Sequence, residues 1–453
     1  MQLIRFRHTV GVQPALAAAT ASLLANCGAN AEDEPPNAYV DSGLLFYQET
    51  DRVRAIEPNL NFKYDFGGGE MLSLGFVADS VTGATPLGAV PAPVKQTFIR
   101  PISIKSNSTT QTVTSASGGA TVVTLPPPPG SPATSIVAAS TTVAPGTLPL
   151  DHGFEDTRYA GNFGWVEPLT PDLKLDFGGT YSSEQDYRAL SGNIGLAQDF
   201  NAHNTTVSIG VNYENDKSSP IGGTPTPLSS MSGAWKGADR SKDEVNALVG
   251  LTQVMNRRWL TSFNYSYSWS KGYQTDPYKI VSVVDGTTGL PTDYLYERRP
   301  DKRQKQSVFW DNRLHLPSDV VDVSMRYYWD DWSVRSFTVE GRYRFVFDGY
   351  YIEPLARWYR QDAANFFRYY LVQSQAVPQY ASADTRLGTF DATTAGMKFG
   401  IDLDKSSEVN LRVSYYMQRG DGHPAGVIGQ LKGQNLFPDL DAVVVMMGYS
   451  FAF

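Results

Sequence analysis

The segment that decides the fold reads Ile56-Glu57-Pro58-Asn59-Leu60-Asn61-Phe62-Lys63-Tyr64-Asp65-Phe66. Every even-numbered side chain in it is apolar or aromatic, and every odd-numbered one is polar or charged. Successive side chains of a β-strand point to opposite faces of the sheet. The segment therefore predicts a strand with one apolar face and one polar face, and roughly ten residues is the length that a tilted strand needs to cross a bilayer.

The same period of two recurs along the chain, most clearly over 259–269, 321–330 and 337–347. Sustained helical periodicity is absent. After residue 31 no apolar run reaches the roughly 18 residues of a membrane-spanning helix. These patterns predict an all-β protein.

Composition excludes several classes of protein. Of the 453 residues, 41% are hydrophobic and 12% aromatic, which is too much apolar surface for a disordered chain. The single cysteine excludes a disulfide scaffold. Lys and Arg total 38 against 46 Asp and Glu, a net charge of -8 without a basic block, so no nucleic-acid partner is expected.

Two folds alternate in this way: a soluble β-sandwich with its apolar face inside, and a membrane barrel with its apolar face in lipid. The barrel is favoured because tryptophans lie near the ends of the segments, as in an aromatic girdle. The polar face is also rich in Ser, Asn and Gly, and the chain begins with an export signal. The girdle tryptophans are Trp165, Trp259, Trp269, Trp310, Trp329 and Trp358.

We therefore predict a single antiparallel transmembrane β-barrel of about sixteen strands. Fourteen is the alternative, should a weak segment such as 188–198 be a loop. The predicted strands are 39–49, 54–66, 70–81, 153–166, 173–183, 188–198, 204–214, 242–254, 258–270, 303–316, 320–330, 335–347, 350–361, 388–401, 407–419 and 441–453.

The connections between these strands fall into two groups. Those after even-numbered strands are short, whereas every long one (82–152, 215–241, 271–302, 362–387 and 420–440) follows an odd-numbered strand. Outer-membrane barrels have short periplasmic turns and long extracellular loops. The pattern thus predicts a protein of the outer membrane of a Gram-negative bacterium, surrounded by its lipid, with both termini in the periplasm.

Residues 1–31 are typical of a signal peptide. Arg5 and Arg7 precede a short apolar region, and Ala29-Asn30-Ala31 fits a cleavage site. A lipoprotein anchored through Cys27 is the alternative, but Asn26 suits a lipobox poorly. Residues 32–38 are then a periplasmic segment ahead of the barrel, which occupies 39–453.

The loop 82–152 has low complexity. It carries no charge from Ser106 to Leu150 and contains a run of prolines, Pro126 to Pro129. This composition favours an extended, mobile exterior segment, with an inward-folded partial plug as the alternative.

The carboxyl terminus alternates like the other strands. Gly448, Phe451 and Phe453 resemble the terminal signal by which the barrel-assembly machinery recognises outer-membrane proteins, although Met446 departs from its upstream polar position. This resemblance implies that machinery as a partner.

A longer resemblance covers most of the mature chain apart from the Thr/Pro-rich insertion. The segments Phe46-Tyr47-Gln48-Glu49-Thr50-Asp51-Arg52-Val53, Glu57-Pro58 and Asp79-Ser80-Val81-Thr82-Gly83-Ala84-Thr85-Pro86 are similar to the uncharacterised outer-membrane barrel family called domain of unknown function 3570. The resemblance implies the fold and the location but no substrate. It also implies periplasmic partners of the thioredoxin-like or flavin-transfer type.

The inferred lumen face is rich in charge. A cation on the lipid face near the bilayer midplane costs roughly 2–4 kcal/mol, so these side chains are expected in a wet interior. They form either a constriction that positions anions or zwitterions, or a salt-bridge network that braces the wall. The candidates are Arg313, Arg326, Arg342, Arg344, Arg357, Lys398, Arg412, Asp311, Asp322, Glu340 and Glu353.

Signs of catalysis are scarce. His152, His203, His315 and His423 make no close-spaced metal pair, and no nucleophile motif or phosphate loop occurs, so we expect no enzyme, metal or cofactor. The first functional hypothesis is a pore or transporter for small solutes with a lumen of mixed charge. The second is a non-conducting scaffold that docks a periplasmic or surface partner.

Overall fold

The computed structural model describes residues 37–105, 113–114, 121–123, 134–232 and 237–453. The predicted signal peptide, and all but the last two residues of the segment 32–38, lie outside the described residues. The described chain is built from β-strands, with two one-turn 3-10 helices, Thr385–Leu387 and Gly429–Gly433.

Sixteen strands form one closed antiparallel barrel, as predicted, and the segment near 188–198 is one of them. In chain order, β1 to β16 are Ala38–Glu49, Arg54–Gly67, Glu70–Pro86, Leu150–Thr170, Leu173–Ser183, Tyr187–Phe200, Thr205–Ser218, Arg240–Asn256, Trp259–Gly272, Lys302–His315, Val320–Asp330, Arg335–Phe347, Tyr350–Gln361, Phe390–Asp402, Ser407–Gly420 and Leu440–Ala452.

The barrel closes because the last strand pairs with the first. Val40 lies opposite Phe451, and Gly43 lies opposite Gly448. Backbone hydrogen bonds of 2.9 Å run both ways between Ala38 and Phe453. Closure leaves no unpaired strand edge, which a sheet in a bilayer could not tolerate.

The outer surface of the barrel is apolar. Leu60, Ile194, Phe263 and Met447 are 49%, 57%, 48% and 51% exposed, whereas the polar residues that alternate with them face the interior. Soluble proteins rarely expose so continuous an apolar surface. Among the described residues, no helix has the length and apolar character of a membrane span.

The long connections at one end of the barrel fold together into what we call the loop layer: residues 87–99, 140–149, 219–232, 237–239, 273–301, 331–334, 362–389 and 421–439. A three-stranded sheet in it joins Ile280–Val284 and Pro291–Tyr296 to Leu371–Val372. Val90 packs with Val284, Val427 and Leu431, which belong to two other loops. The layer therefore links connections from separate parts of the barrel rim.

The two described ends of the loop 82–152 are packed rather than extended, and the tract between them lies outside the described residues apart from 113–114 and 121–123. Residues up to Pro86 and from Leu150 onward belong to β3 and β4. Beyond them, Ala89 and Phe98 are buried against Ile280 and Tyr296. The apolar residues that flank the Pro/Thr-rich tract explain the difference, because they supply enough buried surface to hold both ends of the loop in the layer.

Candidate functional site

The predicted lumen residues lie together on the inner face of β10 to β15. Their neighbours in sequence point outward: Val323, Phe337, Trp358 and Leu411 are 37–41% exposed on the lipid-facing surface. Paired positions place Arg313 opposite Asp322, and Asp322 opposite Arg342. We call the eleven predicted residues together with Glu408 the charge belt.

The belt contains a compact cluster near the end of the barrel that carries the short turns. Arg344 donates to Glu353 at 2.8 Å, and Arg412 lies 3.8 Å from the same carboxylate. Glu353 is only 1% exposed. The Arg344 guanidinium also lies 4.2 Å from the centre of the Tyr351 ring, a cation–π contact.

Lys398 completes this cluster. Its Nζ lies 3.9 Å from Glu408 and 5.3 Å from the centre of the Tyr351 ring. The Tyr351 hydroxyl donates to Glu408 at 2.8 Å, and the Asn410 amide donates to it at 3.0 Å. Each of these polar groups therefore has a fixed partner, as a bracing network requires.

Further along the strands the belt contains a second group of charges. The Arg313 Nε donates to Asp322 at 2.7 Å, and the Arg342 Nε lies 3.3 Å from Glu340. Glu340 is paired across the sheet with Arg357 on the next strand. The cations contact carboxylates and also face the interior. This geometry is therefore compatible with a bracing salt-bridge network and with a charged constriction.

Arg326 is different from the other belt cations. The ion pairs among the described residues do not include it, and its guanidinium instead lies 5.2 Å from the centre of the Phe309 ring. Arg326 lies opposite Thr338 on β12, and Glu340 of the same strand lies opposite Arg357 on β13. Arg326 therefore adds positive charge to the lumen that no direct carboxylate contact offsets.

The lumen leaves open space beside the belt. The side chains of Arg313, Arg342, Arg344 and Arg412 are 31%, 31%, 37% and 30% exposed although they point into the barrel. Inward-facing side chains can be this exposed only if the lumen leaves room for solvent at their level. Barrels of sixteen strands are wide enough for an aqueous channel.

The opposite wall of the lumen is lined by asparagine and glycine. Asn162 and Asn61 lie flat over Gly75, so close that a Cβ on Gly75 would stand 2.0 and 2.8 Å from their Oδ1 atoms. Gly43 faces Asn59 in the same manner. Glycine leaves room for the amides along the wall, which keeps that side of the lumen polar without narrowing it.

Aromatic side chains pack together at the end of the lumen beneath the loop layer. Phe437, from the loop after β15, is 1% exposed and packs on the inward-facing Phe390 and Tyr359. Trp332 similarly packs with Phe366 near Tyr328. Aromatic side chains of the loops therefore enter this mouth of the barrel.

Sequence reasoning missed several charged clusters. One lies on the inner wall of β7, β8 and β10, where Lys242 contacts Asp216 at 2.6 Å and Lys305 contacts Glu244 at 2.7 Å. The alternation of Lys242 and Glu244 on a predicted strand was a signal that could have found it. Another joins Arg158 to Asp79 at 2.6 Å across β3 and β4.

A third missed cluster lies in the loop layer. Arg299 contacts Glu297 at 2.7 Å and Asp384 at 2.8 Å, while Arg386 contacts Asp384 and, at 3.2 Å, Asp276. Burial disfavours the charged form of Asp384, but Arg386 and Arg299 outweigh it and hold the pKa of that carboxyl well below its usual range. No sequence signal predicted this cluster, because its members come from two loops without regular periodicity.

One group of carboxylates has the spacing of a metal site. Single oxygens of Asp156, Glu184 and Asp186 lie within 4.8 Å of one another, and the Tyr278 hydroxyl donates to Asp186 at 2.7 Å. Sequence analysis predicted no metal ligands here. Acidic groups often approach one another in this way without an ion, so we assign no metal to the group.

The family described as "protein of unknown function (DUF3570)" matches residues 13–451, so the chain belongs to that family. The resemblance predicted from sequence is thereby confirmed. No functionally curated protein has a matching sequence.

Solved structures of outer-membrane proteins resemble the barrel. The outer membrane protein OpdK from Pseudomonas aeruginosa is 10% identical, with 92% of this chain and 98% of that chain covered and a TM-score of 0.37. A bacterial polysaccharide outer membrane secretin is 9% identical, with 93% and 100% covered and a TM-score of 0.42. CdiB from Acinetobacter baumannii is 11% identical, with 65% and 57% covered and a TM-score of 0.34.

Proposed function

We propose that this member of the family is an outer-membrane pore for small solutes, with a weak preference for anions set by the charge belt. The observation that carries the proposal is the partial exposure of inward-facing arginines in a closed barrel whose outer surface is apolar. A transmembrane barrel needs that combination, whereas a soluble barrel would bury its apolar face instead.

The apolar outer surface supports insertion into lipid. It is interrupted at the strand ends by aromatic residues such as Trp259 and Trp358, which are 36% and 41% exposed. Aromatic side chains are enriched at membrane interfaces because they combine an apolar body with a polar edge. Gly448 and Phe451 belong to the closing strand, and Phe453 follows it directly and bonds to the backbone of Ala38, which fits their proposed role in recognition by the assembly machinery.

The charges of the belt support a preference for anions. Arg and Lys supply seven cations, and Asp311, Asp322, Glu340, Glu353 and Glu408 supply five carboxylates, so the belt is net positive. Rings of fixed charge bias the ions that pass a pore. Because most of the cations are paired, we expect the bias to be moderate.

Planar bilayers test this proposal. Purified full-length protein should give discrete conductance steps, with a reversal potential on the anion side in a KCl gradient. Arg342→Ala together with Arg344→Ala should shift the reversal potential toward cations. Arg335→Ala removes a cation from the outward-facing side of the same strand, β12, and should leave it unchanged. If the inner and the outer substitutions shift the reversal potential equally, the charge belt does not set the ion preference.

A non-conducting scaffold is the second candidate, and the loop layer is the observation that favours it. Phe437 and Trp332 occupy the mouth of the barrel and are 1% and 3% exposed. Absence of conductance from a correctly folded barrel, together with co-purification of a periplasmic partner, would support this function over the pore.

A further inference from the structure

We propose that the lumen selects small zwitterions, which are solutes that carry one ammonium group and one carboxylate group. The inference rests on the proposed pore and names the class of solute that it passes most readily. It begins from the charges of two walls that face each other across the barrel.

Strands β10 to β15 form a basic wall. Their inward-facing charges are the charge belt and four residues near the strand ends, which together make nine cations against seven carboxylates when His315 is counted as neutral. The four residues near the strand ends are Arg303, Lys305, Asp330 and Asp402. Pairing of cations with carboxylates inside the wall does not change the sum, so this wall is net positive.

Strands β2 to β6 form an acidic wall. Glu57 and Asp176 alternate with the outward-facing Ile56 and Phe177, which are 43% and 41% exposed, and so they point into the lumen. The wall carries at least six inward-facing carboxylates against three cations, and it is therefore net negative. They are Glu57, Asp65, Asp79, Asp156, Asp176 and Asp199 against Lys63, Arg158 and Lys174.

The contacts of the acidic wall leave carboxylates in excess. Arg158 donates to Asp79 at 2.6 Å and lies 3.8 Å from Glu57, so one guanidinium serves two carboxylates. The ion pairs among the described residues do not include Asp176. Its carboxylate lies over Gly195, where a Cβ would stand 2.0 Å from the Asp176 Oδ2. Asp176 is thus the negative counterpart of Arg326 on the basic wall.

The two walls lie on opposite sides of the barrel. In the closed order of sixteen strands, β4 at the centre of the acidic wall is eight strands away from β12 on the basic wall. Fixed charges of opposite sign on facing walls produce a field across the lumen, and walls of low dielectric constant concentrate that field. The field therefore runs across the path of a solute.

A zwitterion gains more from this field than other small solutes do. Its carboxylate turns toward the basic wall and its ammonium group turns toward the acidic wall, so both ends are attracted. A simple anion is attracted by one wall and repelled by the other, which agrees with the weak preference for anions proposed above. A neutral solute of the same size gains neither attraction.

Two cysteine variants measure the field directly. Thr180→Cys places a thiol on the acidic wall and Thr394→Cys places one opposite Arg357 on the basic wall, each in a chain whose Cys27 is replaced by serine. The reagents are the anionic sulfonatoethyl and the cationic trimethylammonioethyl methanethiosulfonates, applied in detergent solution. The ratio of anionic to cationic labelling rates should be roughly fivefold or more higher for Thr394→Cys. Equal ratios in the two variants would overturn the field.

Liposome swelling tests the class of solute. β-Alanine and lactamide are isomers, and only β-alanine is a zwitterion at neutral pH. The wild-type protein should pass β-alanine roughly twofold faster or more, because the field acts on it alone. Glu57→Gln combined with Asp176→Asn should reduce this advantage. The double variant retains the pair of Asp79 with Arg158, and its rate for lactamide should not change.

Asp391→Asn is the matched control. Asp391 lies between the inward-facing Phe390 and Ala392, so its carboxylate belongs to the outward-facing side of β14. Both rates should equal those of wild type. Passage of lactamide as fast as β-alanine, or the same loss of advantage in the control, would overturn the preference for zwitterions. Exclusion of both isomers would instead contradict the proposed pore, and the labelling ratio in detergent would still test the field.

Discussion

Glu353 connects two cations of the charge belt and is almost completely enclosed. Its carboxylate receives Arg344 at 2.8 Å and lies 3.8 Å from Arg412. Glu353→Gln would keep the shape but leave two neighbouring guanidinium groups without their shared counter-charge. Because both arginines are about one-third exposed, water would compensate in part, and we expect a loss of about 1–3 kcal/mol in the free energy of unfolding.

Urea unfolding in lipid vesicles, followed by tryptophan fluorescence, would measure this loss. Asp348→Asn, which changes an exposed carboxylate in the adjoining short turn, should leave the midpoint unchanged. If Glu353→Gln is as stable as wild type, the cluster does not brace the wall.

Gly75 gives a second prediction, about the asparagine-lined wall. A Cβ at this position would lie 2.0 Å from the Asn162 Oδ1 and must push that amide away. Gly75→Ala should therefore destabilise the barrel by about 1–3 kcal/mol. Gly341→Ala is the matched control on the outer surface, where a Cβ meets no atom within 4 Å. Its unfolding midpoint should equal or exceed that of wild type, and equal losses in both variants would contradict the packing that we describe.

The strands were predictable because one physical rule governs all of them. Each crosses between lipid and a polar interior, so alternation survives even where individual propensities are weak, as in Ala189 to Gln198. The same rule predicted that Arg313, Arg342 and Glu353 point inward. Alternation does not show which residues lie opposite each other across the sheet. The pairing of Arg344 with Glu353 and the stacking of Arg326 on Phe309 could be identified only once the register of the strands was known.

The loop layer could not be predicted in the same way. Its contacts join connections that are far apart in sequence, such as Val90 with Val284 and Leu431. Loops that cover a barrel mouth carry no periodic pattern, so the apolar residues before the low-complexity tract 106–150 do not indicate which loops they contact. The buried charges at Arg299 and Asp384 were missed for this reason.

The charged cluster of the loop layer has a defined dependence on pH. The pKa of Asp384 is lowered in the folded protein, so its stabilising contribution is present above the unfolded pKa of about 3.9 and is lost as the pH falls through the folded pKa. Hydrogen–deuterium exchange over 276–299 and 380–387 should therefore stay slow from neutral pH down to about pH 4.

Asp384→Asn tests the same cluster at neutral pH. Removal of the carboxylate leaves Arg299 and Arg386 without their shared partner, and we expect exchange in these segments to accelerate by roughly tenfold, or about 1.4 kcal/mol of local stability. Asp362→Asn, an exposed carboxylate in the same loop, is the control. Unchanged exchange in Asp384→Asn would show that the loop layer does not depend on this cluster.

The whole molecule consists of three levels along the barrel axis. Short turns and the cluster around Glu353 lie at one end, the second group of belt charges around Arg313 and Arg342 lies midway, and the loop layer covers the other end. A solute that passes through such a pore would meet the aromatic side chains of the loops, then the charge belt. In the proposed pore, this order would place the loops at the mouth and the charges inside the barrel.

The proposed pore depends most on which face of each strand meets water. Cys27 is the only cysteine in the sequence and falls in the predicted signal peptide, so single cysteines can be introduced without interference once it is replaced by serine. Thr338 and Glu340 of β12 point inward, whereas Phe337 and Val339 point outward, and each would be changed to cysteine in turn.

The decisive measurement is the labelling of these four variants, reconstituted in lipid vesicles, with a charged thiol reagent that does not cross membranes. The proposed pore predicts rapid labelling at 338 and 340 and none at 337 and 339, because only the inner face would be in contact with water. Labelling at 337 and 339 with protection at 338 and 340 would contradict it, since the apolar face would then be in water and the arginines in a dry interior.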